Sequence, residues 1–167
     1  MTNIRRYFQE GHVYFLTHVT DNRMPILVEH IDLLMSALER TRSKWPFELI
    51  AWSVLPDHIH MVVNPAKENL SPIVKAFKLS FSNRYRDRMG VSTLRVWQNR
   101  YWDHVIRNEE DLRNHIEYTH YNPVKHGLVR APLEYKHSSF LSFVENGVYD
   151  SDWGSLDEFR FEGDFGE

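Results

Sequence analysis

FELIAWSVLPDHIHMVV, residues 47–63, reads as two strands joined by a tight corner. Phe47 to Leu55 holds the near-continuous apolar run LIAWSVL, which predicts a strand buried on both faces. Pro56-Asp57 makes the connection, and His58 to Val63 follows as a second strand, so the two form a hairpin. Alternate residues of a strand share a face, and His58 and His60 therefore project together.

Outward from this hairpin the pattern switches between periods of two and 3.6. Val13 to Thr20 (VYFLTHVT) reads as a strand, closed by a turn at Asp21-Asn22-Arg23. Roughly residues 29–43 carry Ile31, Leu34, Met35 and Leu38 at helical spacing, and Pro46 ends that helix. A second helix opens at Leu70 and runs to about Arg88. Its apolar stripe is Leu70, Ile73, Val74, Phe77, Phe81 and Tyr85, and Gly90 stops it. Val96 to Ile106 contains a fourth strand, Arg100 to Ile106. A third helix begins at Glu109 with three acidic residues in its first turn, favourable to the helix dipole. It is expected to run to about Tyr121 and to close at Asn122-Pro123, because a residue before proline is pushed out of helical geometry. The order βαββαβα predicts an α+β, ferredoxin-like sandwich. Its antiparallel sheet has helices on one face and the third helix beside it.

A chain of 167 residues suits one compact domain, or one domain plus a tail. With no cysteine, disulfides and thiolate metal sites are excluded. His, Asn, Asp and Glu remain as ligands, which points to hard or borderline divalent ions. No apolar run approaches the roughly 20 residues that span a bilayer, and no apolar stretch follows Arg5 and Arg6, so neither an anchor nor a secretory signal is expected. The expected setting is cytoplasmic, with no membrane partner. The net charge of −3 hides a split. Residues 145–167 hold eight acidic side chains and one basic one, leaving 19 basic and 15 acidic residues, a formal +4, in residues 1–144. A folded unit over 1–144 with an acidic tail over 145–167 follows. Such a tail either aids solubility or covers a basic groove.

His58 and His60 have the geometry of two ligands on one ion, although a His-x-His pair among ten histidines is a weak signal alone. In the third helix Tyr118 and Asn122 lie four apart, one turn above each other on one face. Asn offers a neutral carbonyl ligand and Tyr a phenol that serves as a nucleophile. Taken singly, Tyr118 is equally a helix aromatic packed on the sheet, and Asn122 a helix-ending residue.

Together these stretches carry a resemblance. LPDHIHMVV (55–63), WQNRYWDHVIRN (97–108) and HIEYTHYNPVKHGLV (115–129) resemble the REP-associated tyrosine transposases, domesticated relatives of the single-tyrosine insertion-sequence transposases of the HUH nuclease superfamily. IRRYFQEG (4–11) before an aromatic strand resembles their N-terminus, and the likeness spans roughly residues 4–130. The resemblance implies that His58, His60 and Asn122 hold a divalent ion, magnesium or manganese, and that Tyr118 is the nucleophile. It also implies single-stranded DNA cleavage and rejoining at hairpin repeats through a 5′-phosphotyrosine. Tyr121 lies about 60° round the helix from Tyr118 and outside the family position. For DNA, Lys75, Lys78, Arg84 and Arg86 on the second helix suit phosphate tracking. Arg5 and Arg6 beside Tyr7, which can stack on an unpaired base, suit a second patch. Arg100 is a further candidate, while Trp97 and Trp102 read as packing residues. A monomer is favoured and a homodimer remains open. A mobile-element transposase of the same chemistry, or a catalytically silent DNA-binding protein, are the alternatives; the intact set of four site residues argues against the latter.

Overall fold

The computed structural model describes residues 13–66, 69–156 and 159–167. Four strands form one antiparallel sheet: β1 (Tyr14–Val19), β2 (Glu48–Val54), β3 (His58–Asn64) and β4 (Trp102–Val105), in the order β2-β3-β1-β4. β3 lies between β1 and β2, and β1 between β3 and β4, all paired antiparallel. Hence β1 runs parallel to β2 and β3 to β4, each pair joined by a helix, which is the split βαβ arrangement expected from the pattern. α1 (Ile31–Lys44) and α2 (Leu70–Met89) cover one face, where Leu16, Ile59, Met61 and Val63 meet Leu34, Leu38, Phe77 and Phe81.

α3 (Glu109–Lys125) covers the other face. Its Leu112, Ile116 and Tyr118 pack on Phe15, Ile50, Ala51 and Val62. The helices thus occupy both faces of the sheet, with α3 across the second face. That explains why every residue of β3 is buried. β2 meets both layers too, because a register shift between Leu49 and Ala51 lets Ile50 and Ala51 both join the α3 core.

α3 does not close at Asn122. It continues through Pro123 to Lys125 and ends on Gly127 at φ 70°. Leu128 N donates to Pro123 O and Gly127 N to Val124 O, a Schellman ending. A proline in the final turn forfeits one backbone donor there, and buried Asn122 and Tyr118 hold the turn in place. At its start, the Asn108 side chain accepts from Asp111 N at 2.9 Å.

The chain beyond α3 packs closely. Residues 135–139 lie along the outer edge of β2: Val54 N donates to His137 O and Ser139 N to Trp52 O. The exposed edge of the predicted hairpin is therefore paired within its own chain at these positions. α4 (Phe140–Glu145) buries Phe140 and Phe143, and Tyr149 and Trp153 stack on this group. Among the described residues, no helix is long and apolar enough to cross a membrane.

Candidate active site

His58 and His60 both face α3, as the two-residue period requires. Their outer nitrogens are already engaged. His58 Nδ1 lies 2.7 Å from Asp57 Oδ1, and because a carboxylate only accepts, the ring donates. His60 Nδ1 lies 2.8 Å from Thr17 Oγ1. Thr17 gives its one proton to Phe165 O at 2.6 Å, so it accepts from His60 Nδ1. In both rings the nitrogen left to bind an ion is Nε2. Outer hydrogen bonds of this kind fix the tautomer and aim of metal-binding histidines.

α3 supplies the opposite wall. Tyr118 and Asn122 are both buried, one turn apart, with His58 Nε2 3.3 Å from Asn122 Oδ1. Lys125, a turn further on, donates from Nζ to the Tyr118 hydroxyl at 3.0 Å. Tyr118 and His60 rings meet edge to face at 5.3 Å. Tyr121 instead packs among Trp153, Phe159 and Phe161, and His120 is buried against Ser139 Oγ at 2.8 Å.

The sequence reading missed the group at the centre of this cluster. The side chain of Glu167, the last residue, enters between the histidines and α3. Its Oε1 lies 2.8 Å from His60 Nε2 and 3.6 Å from His58 Nε2, and it accepts from Asn122 Nδ2. Oε2 accepts from Lys125 and lies 3.4 Å from His126 Nε2. Two residues earlier, Phe165 stacks on the Tyr118 ring, centroids 3.6 Å apart and planes 9° from parallel. Gly166 lies against Trp102, where an added Cβ would sit 2.2 Å from that side chain's Cβ. Helix and strand periodicity cannot reveal a contact spanning 107 residues; the acidity of the tail was the one available signal.

Electrostatics follow from this packing. Burial opposes charge on Glu167, but hydrogen bonds from His126, the site histidines and Lys125 outweigh it and hold the carboxyl well below its usual range. Burial lowers His60 to about 4, against the pull of Glu167. Burial and then the Glu167 carboxylate push the Tyr118 phenol well above its ordinary value. A neutral His60 with Nδ1 protonated presents a lone pair to Glu167 Oε1. Two acceptors 2.8 Å apart require a proton or a cation between them. His58 Nε2 and His60 Nε2 face Glu167 Oε1 at 3.6 and 2.8 Å, Asn122 Oδ1 lies 3.3 Å from His58 Nε2, and two imidazoles with an amide oxygen suit a divalent ion.

The proposed DNA contacts divide. Lys75, Lys78 and Arg86 line one cleft with Arg95, Trp97 and Tyr101, on the α1/α2 side of the sheet. Within it Lys78 Nζ donates to Gln98 O at 2.9 Å and Arg86 Nε to Leu94 O at 2.8 Å. Arg84 is absent from that lining, and helical spacing places it half a turn round α2 from Lys75. Arg100 is exposed just before β4. Arg5, Arg6 and Tyr7 lie outside the described residues. Trp97 is buried in the α2 core, and Trp102 is partly exposed beneath Gly166.

The profile of the family "Transposase IS200 like" matches residues 9–121. A Haemophilus influenzae protein described as a REP-associated tyrosine transposase is 34% identical, covering 98% of this chain and 99% of its own. The Escherichia coli REP-associated tyrosine transposase is 32% identical, with 95% of each chain covered. A solved REP-associated tyrosine transposase bound to a REP hairpin superposes with a TM-score of 0.77 at 32% identity, over 98% of both chains. The chain belongs to the IS200-like transposase family, among the REP-associated tyrosine transposases, and is a DNA nicking and joining enzyme.

Proposed function

We propose that this enzyme cleaves and rejoins single-stranded DNA at REP-type hairpins, with Tyr118 as nucleophile beside a divalent ion held by His58, His60 and Asn122. The observation that carries this reading is that His58 Nε2 lies 3.3 Å from Asn122 Oδ1, beside His60 and one helical turn along α3 from Tyr118. When bound, magnesium or manganese supplies Lewis-acid polarisation of a non-bridging phosphate oxygen. The chain's own groups do the rest. Tyr118 Oη attacks phosphorus, an O–P bond forms, and the bond to the 3′ oxygen breaks, leaving a 5′-phosphotyrosine and a 3′-hydroxyl. Lys125, 3.0 Å from that oxygen, aims it and offsets its charge as the proton leaves. The phosphotyrosine keeps the phosphoester bond energy, so attack by a second 3′-hydroxyl reverses the step and joins strands.

DNA held in the Lys75–Lys78–Arg86 cleft reaches Tyr118 by passing the β4 edge, since cleft and site lie on opposite faces of the sheet. Such a protein acts in the cytoplasm, on the nucleoid, and the covered β2 edge favours a monomer. The tail residues from 164 onward act as a plug, with Glu167 where a phosphate enters and Phe165 over the nucleophile.

The test incubates the protein with a labelled hairpin oligonucleotide bearing a single-stranded foot, with magnesium, manganese or chelator. A metal-dependent, denaturant-resistant adduct is expected, absent with chelator and in Tyr118→Phe, which still binds the hairpin. A full-strength adduct in Tyr118→Phe would overturn the assignment.

A further inference from the structure

A second set of ion-binding side chains lies on the α3 face, apart from the site above. His104 from β4 and the i, i+4 pair Asp111 and His115 of α3 bring their ligand atoms within 4.8 Å of one another. His104 Nε2 is 2.8 Å from Asp111 Oδ2, and His115 Nδ1 is 3.2 Å from Oδ1. The two imidazoles stack nearly parallel, centroids 4.5 Å apart and planes 13° from parallel. Asp111 and His115 are buried, while His104 is a quarter exposed. All three line a cleft of ≈ 660 Å³ with Asn114, Glu162 and Asp164.

We propose that His104, Asp111 and His115 bind a borderline divalent ion of the zinc type, pinning β4 to the first turns of α3. Two imidazoles and one carboxylate are a zinc donor set. Tetrahedral ligands about 2.0–2.1 Å from zinc sit roughly 3.3 Å from one another, so the 2.8 Å between His104 Nε2 and Asp111 Oδ2 needs only a small opening. The surroundings already orient the carboxylate. Arg107 N donates to Asp111 Oδ2 at 2.9 Å and Arg107 Nε to the same oxygen at 3.1 Å. His115 Nδ1 lies 2.8 Å from Asp111 O, a backbone partner of the kind that fixes a ligand ring and leaves its other nitrogen with the lone pair. The open cleft gives access to the ion and room for a fourth ligand, water or a lining carboxylate. Nothing here requires Tyr118 or the His58–His60 ion.

Chelator-stripped chain is dialysed against zinc and the bound metal counted, with cobalt substituted in parallel for its visible absorption. In His58→Ala/His60→Ala about one zinc per chain is expected to remain. Adding His104→Gln or His115→Gln should weaken it by more than the roughly 10–100-fold that loss of an outer hydrogen bond costs. Cobalt should give the intense band of a tetrahedral site, lost in the same variants. A folded His58→Ala/His60→Ala chain that binds no zinc, or zinc that survives both glutamine variants, overturns the proposal. Should the double-alanine chain not fold, wild type is compared with His104→Gln. Loss of one equivalent supports the site, and an unchanged count overturns it.

Discussion

At the scale of single residues, Tyr118 sits in an environment that works against its ionisation. Burial and the Glu167 carboxylate both raise its pKa, the Asn122 side chain pulls the other way, and Lys125 donates to the hydroxyl at 3.0 Å. Removing that donor should therefore cost rate more than binding. Lys125→Ala is expected to slow adduct formation by on the order of 100-fold with hairpin affinity within a few-fold of wild type, and Lys125→Arg should restore part of the rate. Single-turnover adduct yield against time, beside a gel-shift titration, checks both. His60→Ala should remove metal-dependent cleavage, because it deletes one of the two imidazoles proposed to hold the ion. His58, His60, Tyr118 and Asn122 were legible because each pair obeys the period of its element. Glu167 and Thr17 were not, since they reach the site through tertiary packing.

At the scale of elements, the proposed plug of residues 164–167 lies against Tyr118 and the histidines. Gly166 takes φ +73°, and its Cα packs where an added Cβ would collide with Trp102. Gly166→Ala is accordingly expected to displace the final residues through both strain and clash. Deleting residues 164–167 should do the same while leaving Phe159 and Phe161 on their aromatic neighbours. Both variants are expected to raise initial cleavage rates several-fold; equal or lower rates from a folded variant would count against the plug. A deletion from residue 145 is a poorer test, because Tyr149 and Trp153 cover Phe140, Phe143 and His120. The four strands and first three helices were readable from periodicity, with ends displaced by a few residues. The end of α3 was misread because the Asn-Pro rule ignores how firmly a buried final turn is held. The edge cover of β2 escaped notice since residues 135–139 pair in only short, irregular stretches.

At the scale of the whole molecule, two layers of helix around one sheet bury polar rings as well as apolar ones. Burial, aided by Lys78 and His60, lowers His18 to about 3, and burial alone lowers His120 to about 3. Both folded pKa values lie below the unfolded 6.5, so the unfolded chain takes up protons first as pH falls. Their contribution is complete above pH 6.5 and is lost progressively toward pH 3. At pH 5.5 the loss is about 1 kcal/mol for each ring. Urea midpoints measured from pH 7.5 to 5 should fall, and His120→Gln should flatten the slope. The measurement that bears most directly on the whole account is the location of the covalent nucleotide. Trypsin releases NHIEYTHYNPVK, residues 114–125, which carries both Tyr118 and Tyr121. After reaction with a hairpin oligonucleotide and nuclease trimming, fragmentation of this peptide should place the nucleotide on Tyr118. A nucleotide on Tyr121, or an unmodified peptide from isolated adduct, would contradict it.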